Sequence, residues 1–287
     1  MNETRQKMVH HAYETVPVYR NLLQKRGISI EELDQKDGWG KVPLIEKTNV
    51  ALCADQMISE EYLGLLVTGK LIRTRTSGST GTYMDVYWEE SNYQCSLFPL
   101  WMERWKTAKV HPRDKVCIFN TVLPGGEKYC LKKNTLIFSK SNLNDERLRE
   151  IYFQMLEFSP KWILIHPGIA ALLCDLVEKE QFPALSSVVY VELTGEMVLD
   201  QLKRRIEKDF SCQVKSHYGT MEVSTIGYEE GEYYKIYETS TYVEVLDENG
   251  KPVPEGETGN IYVTSLHNYA MPFVRYGTGD RGQLFER

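Results

Sequence analysis

Trp162-Ile163-Leu164-Ile165-His166-Pro167-Gly168 is a short apolar run that ends in a histidine, a proline and a glycine. A run of this length, bounded by turn residues, is typical of a buried β-strand. It stands inside a regular alternation of helix-like and strand-like segments. In chain order these are helix Asp145–Phe158, strand Trp162–His166, helix Gly168–Glu178, strand Ser187–Leu193, helix Leu199–Phe210 and strand Gln213–His217. Alternation at this spacing predicts an α/β fold, in which a parallel sheet of β-α-β units carries helices on both faces.

The segments on either side of this core have a different pattern. In the first forty residues, apolar side chains recur at helical intervals, which predicts helices. Near the end, Tyr242–Leu246, the Asn249-Gly250 turn and Ile261–Ser265 are typical of antiparallel hairpin strands. We therefore expect one large domain over residues 1–287. Its parts would be a helical region (1–70), an α/β core (71–240) and a smaller antiparallel β subdomain (241–287).

The composition excludes several classes of protein. With 42% hydrophobic and 26% charged residues, the 287-residue chain has the average composition of a globular protein and lacks the signature of disorder. A net charge of −6 without a long Lys/Arg run argues against a nucleic-acid-binding protein. No apolar stretch is long enough for a membrane span, and the N-terminus is too polar for a signal peptide. The six cysteines lack the spacing of a metal site. We expect a cytoplasmic protein with free thiols.

Thr76-Ser77-Gly78-Ser79-Thr80-Gly81-Thr82 combines hydroxyl side chains with two glycines. Because glycines let the backbone approach phosphate oxygens and hydroxyls donate hydrogen bonds to them, this segment is suited to a polyphosphate. It differs from the Walker pattern, since no Gly-Lys-Ser/Thr ends it. A flexible surface loop is the other interpretation, and the segment taken alone favours that one.

Two further segments place turn residues next to a carboxylate. Tyr218-Gly219-Thr220-Met221-Glu222 follows a predicted strand and offers an aromatic face, a hydroxyl and a carboxylate, which suit a base and a divalent cation. Arg275-Tyr276-Gly277-Thr278-Gly279-Asp280 ends in a carboxylate that suits ribose hydroxyls. For the first segment taken alone, an ordinary turn with a solvated Glu is the preferred interpretation, and the second segment is equally suited to an Asx turn.

Together and in this order, the three segments resemble the adenylate-forming superfamily, which includes acyl-CoA synthetases, adenylation domains of nonribosomal peptide synthetases and luciferases. The resemblance is strongest to the phenylacetate–CoA ligase and capsule-biosynthesis branch, and it covers essentially the whole chain. The other segments that match are Val16-Pro17-Val18-Tyr19, Val42-Pro43-Leu44-Ile45-Glu46-Lys47, Thr194-Gly195-Glu196 and Gly256-Glu257-Thr258-Gly259. The resemblance implies the fold of the large N-terminal domain of these enzymes.

The resemblance also implies a reaction. ATP and a carboxylic acid would form an acyl-adenylate and pyrophosphate in the presence of Mg²⁺, after which a thiol, often that of coenzyme A, displaces AMP. The implied substrate is a small carboxylic acid, with an aromatic acid as one candidate. Coenzyme A, a carrier protein and an amine remain open as acceptors.

Each matching residue takes an implied role. The outer ATP phosphates would be bound by Ser77, Gly78, Ser79, Thr80, Gly81 and Thr82, and adenine by Gly195, Glu196, Tyr218 and Gly219. Asp280 would bind the ribose. Thr220 would make a catalytic contact near the α-phosphate, and the catalytic Glu222 would bind Mg²⁺. Displacement at phosphorus needs positioning and charge neutralisation more than a side-chain nucleophile, which agrees with these residue types.

Other residues near the predicted cleft are placed by position only. Thr121–Gly126 and His166–Ile169 would form the wall of the acyl pocket. His217 and His166 end predicted strands, and each would be either a base or substrate contact or, as we prefer, a packed or solvated histidine.

Four departures from the family pattern keep a second function open. Met221 stands where the family has Ser or Thr, Gly277 where it has Arg, and Tyr83 where it has Pro. Relatives also continue beyond the Asp280 segment into a small C-terminal domain with a lysine that meets the acyl-adenylate. The chain would then be a shortened form of a longer ligase or a stand-alone large domain. A stand-alone domain would adenylate slowly, use a separate partner that carries the small domain, or bind nucleotide or acyl-adenylate without catalysis.

Overall fold

The computed structural model describes residues 3–35, 37–76, 83–120, 123 and 126–285. The α-helices are α1 (Glu3–Thr15), α2 (Pro17–Arg26), α3 (Ile30–Leu33), α4 (Gly38–Lys41), α5 (Lys47–Leu52), α6 (Leu63–Val67), α7 (Glu90–Ala108), α8 (Asp145–Phe158), α9 (Pro167–Glu180) and α10 (Asp200–Phe210). The strands are β1 (Ile45–Glu46), β2 (Ile72–Arg75), β3 (Asp85–Trp88), β4 (Val116–Asn120), β5 (Tyr129–Lys132), β6 (Thr135–Ser139), β7 (Trp162–Ile165), β8 (Tyr190–Leu193), β9 (Gln213–Thr220), β10 (Ser224–Glu230), β11 (Tyr233–Ile236), β12 (Thr241–Leu246), β13 (Gly259–Ser265) and β14 (Tyr276–Gly282).

The chain forms two compact units whose segments interleave along the sequence. The first unit comprises Met1–Phe98, Thr220–Ile226 and Ile236–Arg287, and the second comprises Pro99–Gly219 and Gly227–Lys235. The domain boundaries predicted at residues 70 and 240 stay predictions. In the part of the chain that the structure describes, no helix combines the length and apolarity that a membrane crossing needs.

The parallel sheet predicted from the alternation of segments forms the core of the second unit. The sheet has eight strands in the order β11-β10-β9-β8-β7-β4-β6-β5. Strands β9, β8, β7, β4 and β6 run parallel, and β5 pairs antiparallel with β6 at the edge. The predicted series of helices and strands between Asp145 and His217 is present in order as α8, β7, α9, β8, α10 and β9.

Side chains from the two faces of this sheet pack against different helices. Successive residues of a strand point to opposite faces. On one face, Ile163 and Ile165 join a cluster with apolar residues of α8, α9 and α10, which include Leu148, Ile151, Leu173 and Ile206. On the other face, Trp162 and Tyr190 form a smaller cluster, against which Trp101 of α7 packs. The prediction of helices on both faces is therefore confirmed.

The first unit contains the predicted antiparallel strands. Its sheet has the order β1-β14-β13-β12. Strands β12, β13 and β14 pair antiparallel, whereas β1, from an early part of the chain, pairs parallel with β14 through Ile45 and Tyr276. The antiparallel strands predicted near the end of the chain are thus confirmed, and their sheet includes one strand that the sequence pattern did not assign to it.

A buried tyrosine ties the N-terminal helices to the segment before β14. The Tyr19 hydroxyl donates a hydrogen bond to the carbonyl oxygen of Pro272 (3.1 Å) and accepts one from the backbone N–H of Val274 (2.8 Å). In α1, His11 Nε2 lies 2.8 Å from the carbonyl oxygen of Tyr269. Because these partners are about 250 positions apart in the chain, local periodicity predicts the helices but not their packing.

Candidate functional site

Polar residues follow three parallel strands of the sheet in the second unit. Lys140 comes directly after β6, His166 after β7 and Thr194 after β8. The carboxyl ends of parallel strands meet at one edge of a sheet, and in open α/β sheets ligands bind in the crevice beyond that edge. This edge is therefore the candidate binding region of the second unit.

Gly195 occupies a position that no side chain fits. Its φ is +83°, in the left-handed region, and a Cβ atom there would lie 2.9 Å from His166 Nε2. Glycine alone adopts this conformation without strain, and it lets the backbone approach the imidazole closely. The resemblance assigns Gly195 to adenine, and that role stays a prediction.

We expect Gly195→Ala to lower the free energy of unfolding by about 1–3 kcal/mol, because the new methyl group meets both an unfavourable φ and the His166 ring. ATP binding should weaken at least tenfold if this backbone faces the nucleotide. Gly231→Ala is the matched control in the same unit, since Gly231 also has a positive φ (+68°) but open space around it. Thermal unfolding and ATP titration of both variants measure the effects. Equal losses of stability in the two variants, with ATP affinity unchanged, would contradict this role.

Glu196 connects the loop after β8 to the helix after β7. Its Oε2 atom accepts a hydrogen bond from the backbone N–H of Gly168 (2.9 Å), in the first turn of α9. The first N–H groups of a helix have no partner inside the helix, so a carboxylate stabilises this position. Because the carboxylate is engaged in the fold, the backbone of Gly195-Glu196 is the part suited to a ligand.

His217 lies in β9, and each of its ring nitrogens lies close to a polar side chain. Its Nδ1 atom is 2.8 Å from Glu192 Oε1, and its Nε2 atom is 3.0 Å from Thr194 Oγ1. Glu192 is fully buried and also pairs with Arg104. Burial raises the pKa of Glu192, but the charge and hydrogen bonds of Arg104 and then of His217 outweigh it, so that the pKa lies well below its usual range. These contacts favour the interpretation of His217 as a packed histidine.

Tyr218 and Gly219 lie near the end of β9, where the second unit meets the first along the chain. The Tyr218 ring contacts Tyr234 edge to face, with centroids 6.3 Å apart. The adenine-binding role of the two residues stays a prediction.

Glu222 is a buried carboxylate of the first unit. Its side chain is 3% exposed. The Tyr276 hydroxyl donates a hydrogen bond to Oε1 (2.6 Å), and Lys47 Nζ lies 3.7 Å from the same atom. Burial and then the Glu222 charge raise the pKa of Tyr276 above its ordinary value, so the phenol stays a donor. Two residues earlier, Thr220 Oγ1 accepts a hydrogen bond from the backbone N–H of Val223 (3.3 Å).

Sequence reasoning did not assign Lys47 and Tyr276 to this site. Both lie in segments that match the family pattern, the first in Val42–Lys47 and the second in Arg275–Asp280. No local pattern indicates that they meet Glu222, because Lys47 is separated from it by 175 positions and Tyr276 by 54. The parallel pairing of β1 with β14 places Lys47, which directly follows β1, beside the strand that contains Tyr276.

The residues present fit a magnesium ion only together with a nucleotide. Among the described residues, no group of three or more His, Cys, Asp or Glu side chains could hold a metal ion. Mg²⁺ is commonly bound by one or two carboxylates plus substrate phosphates, and it prefers oxygen ligands. Glu222 would serve as such a carboxylate ligand, and phosphate oxygens of the nucleotide would supply further ligands.

The surroundings of Gly277 explain why a glycine stands at this position. A Cβ atom there would lie 2.8 Å from Glu46 Oε2, and Glu46 Oε1 accepts a hydrogen bond from the Tyr262 hydroxyl (2.6 Å). A larger side chain would displace this pair. The nearby Arg275 does not replace the arginine of the family pattern, because its buried guanidinium pairs with Glu244 (3.0 Å).

Asp280 is exposed in β14, where its backbone N–H donates a hydrogen bond to Thr278 Oγ1 (3.1 Å). An exposed carboxylate accepts hydrogen bonds readily from ligand hydroxyls. Met221, which departs from the family pattern at the position before Glu222, is also exposed. The role of Asp280 with ribose stays a prediction.

The predicted phosphate loop, Ser77–Thr82, lies outside the described residues, and so do Thr121, Val122, Pro124 and Gly125 of the predicted pocket wall. The hairpin of β2 and β3 flanks the first of these segments. Arg73 and Arg75 both pair with Asp85 across the hairpin (2.6 and 2.7 Å), and hydrogen bonds from Arg75 chiefly lower the pKa of Asp85 to about 2. The two arginines therefore stabilise the hairpin.

The predicted site residues divide between the two units. Thr220, Glu222 and Asp280 belong to the first, and Gly195, Glu196, Tyr218 and Gly219 belong to the second. Within the first unit, the side chains of Tyr276 and Lys47 lie close to the Glu222 carboxylate. Within the second, the Gly195-Glu196 segment contacts His166 and Gly168.

Comparison with known proteins gives consistent matches. The family model for AMP-binding enzymes matches residues 75–270. The phenylacetate-coenzyme A ligase of Thermus thermophilus is 24% identical over 299 residues, which cover 97% of this chain and 63% of that protein. The enzyme of the same name from Escherichia coli is 22% identical, and the match covers 96% of this chain and 64% of that protein.

Solved structures show the same fold. A 2-hydroxyisobutyryl-CoA ligase in complex with 2-HIB-AMP and CoA superposes with a TM-score of 0.77 at 18% identity, over 98% of this chain and 62% of that one. At this identity the likeness establishes the fold alone. The chain spans less than two thirds of the length of these relatives.

Proposed function

Because the chain belongs to the AMP-binding enzyme family, we propose that it uses ATP and Mg²⁺ to activate a small carboxylic acid as an acyl-adenylate. The acyl group then passes to a thiol, and the names of the relatives make coenzyme A the first candidate. Their names also make an arylacetic acid the first substrate to try.

The surroundings of Glu222 are the observation that carries this proposal. A buried carboxylate, oriented by the Tyr276 hydroxyl and accompanied by Lys47, is a pre-positioned ligand for the cation that nucleotide phosphates bring. Such preorganisation stabilises charge that develops during a reaction without a cost for rearrangement. The site therefore suits phosphoryl chemistry in which a metal ion neutralises the leaving group.

The reaction needs no nucleophilic side chain. A carboxylate oxygen of the acid forms a bond to the α-phosphorus of ATP, and the bond from that phosphorus to the bridging oxygen breaks, so that pyrophosphate leaves with the electron pair. The protein holds the two substrates in line and neutralises charge, which lowers the barrier by positioning. In this scheme Thr220 contacts the α-phosphate, Glu222 holds Mg²⁺ and Asp280 binds the ribose.

Acid-dependent exchange of labelled pyrophosphate into ATP tests the proposal. We expect exchange with at least one member of a panel of aryl and short aliphatic acids, and none without acid or with EDTA. Saturable ATP binding without exchange for any acid would instead favour a nucleotide-binding protein without catalysis. If no nucleotide shifts the melting temperature, both functions are contradicted, because a ligand that binds the native state must stabilise it.

A second variant probes the ribose contact. We expect Asp280→Ala to lower exchange at subsaturating ATP by about 10- to 100-fold, which is the effect of losing hydrogen bonds to a charged acceptor. Because Asp280 is exposed, and surface substitutions usually change stability little, the melting temperature should stay close to that of the wild type. Asp55→Ala, at another exposed position of the first unit, is the matched control and should exchange normally. Normal exchange by the Asp280 variant would remove this residue from the site.

A further inference from the structure

Tyr234 of β11 reaches across a neighbouring strand to β9. In the sheet of the second unit, β10 lies between β11 and β9. The Tyr234 hydroxyl nevertheless lies 2.8 Å from Ser216 Oγ in β9, and its ring contacts the Tyr218 ring. Gly227 of β10 leaves room for this side chain, because a Cβ atom there would lie 3.3 Å from the Tyr234 Cβ. Tyr234 therefore contacts β9 at two places.

Ser216 anchors the Tyr234 hydroxyl. Ser216 is buried, and its hydroxyl and backbone N–H both donate hydrogen bonds to Glu229 Oε2 (2.8 and 3.0 Å). A serine hydroxyl has a single proton to donate. Because that proton goes to Glu229, Ser216 Oγ must accept the hydrogen bond that joins it to Tyr234. The Tyr234 hydroxyl is therefore the donor.

Glu229 holds the far end of this chain of hydrogen bonds. Its buried carboxylate pairs with Lys203 of α10 and lies 3.6 Å from Lys215 Nζ. Burial raises the pKa of Glu229, but hydrogen bonds from Lys203 and Ser216 outweigh it, so that the pKa lies below its ordinary value. The carboxylate is thus ionised at neutral pH, and hydrogen bonds to a charged acceptor are the stronger ones. They fix the Ser216 oxygen to which Tyr234 donates.

The anchored Tyr234 ring restricts the Tyr218 ring beside it. The ring planes are inclined by 61° and the centroids are 6.3 Å apart, which is an edge-to-face contact. Aromatic pairs prefer this geometry, so the contact favours one orientation of Tyr218. A binding group that is oriented before its ligand arrives loses less conformational freedom on binding. All the residues of this arrangement belong to the second unit.

We propose that Tyr234 is a positioning residue that holds the Tyr218 ring in the orientation that stacks on adenine, and that it thereby sets the affinity of this chain for the base of ATP. The inference rests on the proposed function, within which Tyr218 binds adenine. Tyr234 acts through Tyr218 and needs no contact of its own with the nucleotide.

The test measures nucleotide affinity in variants of the two tyrosines. Calorimetry gives the Kd of AMP, and the exchange assay gives KM and kcat for ATP. The variants are Tyr234→Ala and Tyr234→Phe, each made alone and together with Tyr218→Ala. Tyr233→Ala is the matched control, because Tyr233 is also exposed in β11 and its side chain points to the opposite face of the sheet. Thermal unfolding checks that each variant folds.

We expect Tyr234→Ala to raise the Kd of AMP and the KM of ATP by about 5- to 20-fold, which is part of the effect of losing a base–aromatic stack. Because stacking on the base is equally strong in the ground state and the transition state, kcat should change less than about threefold. Tyr234→Phe keeps the ring but loses its anchor, and it should raise the Kd of AMP by about two- to fivefold. Tyr233→Ala should change neither constant.

The double variants separate positioning from a general loss of structure. In the Tyr218→Ala background, Tyr234→Ala should raise the Kd of AMP by less than about twofold, because the ring that it positions is gone. An equal loss with and without Tyr218 would overturn the inference, as would an equal loss in Tyr233→Ala.

Three further results bear on the inference and on the proposed function. An unchanged Kd of AMP in Tyr234→Ala, in Tyr234→Phe or in Tyr218→Ala would overturn the inference, and Tyr234→Phe decides if Tyr234→Ala does not fold. Absence of AMP binding by the wild-type protein would contradict both the inference and the proposed function. A Tyr234-dependent affinity for AMP without exchange for any acid would contradict the proposed catalysis alone.

Discussion

Glu222→Gln is expected to lower ATP–pyrophosphate exchange by about 10²- to 10³-fold while the fold stays intact. Glutamine has the same size and can still accept the Tyr276 hydrogen bond, but it removes the negative charge that we propose binds Mg²⁺. A preorganised group that meets developing charge typically contributes a factor of this size. Initial exchange rates over a range of Mg²⁺ concentrations provide the measurement, and the variant should need more Mg²⁺.

Glu46→Gln is the matched control for this experiment. Glu46 lies in the same sheet and accepts a tyrosine hydrogen bond of the same length, 2.6 Å, from Tyr262. Because that carboxylate has no assigned role with the nucleotide, the control variant should keep most of its exchange activity. Equal activity of wild type and Glu222→Gln would contradict the magnesium role. Equal losses in the two variants would indicate a structural effect rather than a catalytic one.

Arg104→Met is expected to lower the free energy of unfolding by about 3–5 kcal/mol at pH 7, because it leaves a buried carboxylate without its arginine counter-charge. Arg104 donates to both oxygens of Glu192 (2.5 and 2.8 Å) and stacks over the rings of Trp101 and Trp162. Tyr190 also donates to Glu192 (2.9 Å). Denaturant unfolding followed by tryptophan fluorescence measures the change.

The pH dependence separates lost charge pairing from lost packing. The folded-state pKa of Glu192 is depressed, so its contribution to wild-type stability is present above the pKa of an unfolded Glu, about 4.3, and is lost as pH falls through the folded value. In Arg104→Met the carboxylate loses its partner and accepts a proton more readily. The stability gap to wild type should therefore narrow between pH 7 and pH 5.

A double variant completes this comparison. Arg104→Met with Glu192→Gln removes both charges, and we expect it to recover at least half of the stability that Arg104→Met loses. A gap that is independent of pH, together with no recovery in the double variant, would show that Arg104 acts through packing against the two tryptophans.

The parallel sheet could be predicted because its strands are marked locally. Trp162–Ile165 and its neighbours are short apolar runs, each separated by a helix-length segment, and this spacing leaves few alternatives to β-α-β units. The Asn249-Gly250 turn could also be predicted, and Gly250 has a positive φ of 74°. Local sequence patterns therefore predicted the architecture and the positions of the loops.

Pairing between distant segments could not be predicted in the same way. Nothing local to Arg104 indicates Glu192, and nothing local to Lys47 indicates Glu222, because these partners meet only after the strand order and register are set. The short strand Ile45–Glu46 lacks the length of an ordinary strand and is recognised only by its pairing with β14. The contacts that define the candidate site depend on such pairings, so residue types were predicted better than their partners.

Transfer of ¹⁸O from the acid to AMP tests the central claim most directly. A carboxylic acid labelled at both oxygens is incubated with ATP, Mg²⁺ and hydroxylamine, which takes the place of the thiol, and the AMP is examined by mass spectrometry. If a carboxylate oxygen attacks the α-phosphorus, each AMP carries one ¹⁸O atom and the hydroxamate keeps the other. AMP without label, or label in inorganic phosphate beside ADP, would contradict the formation of an acyl-adenylate.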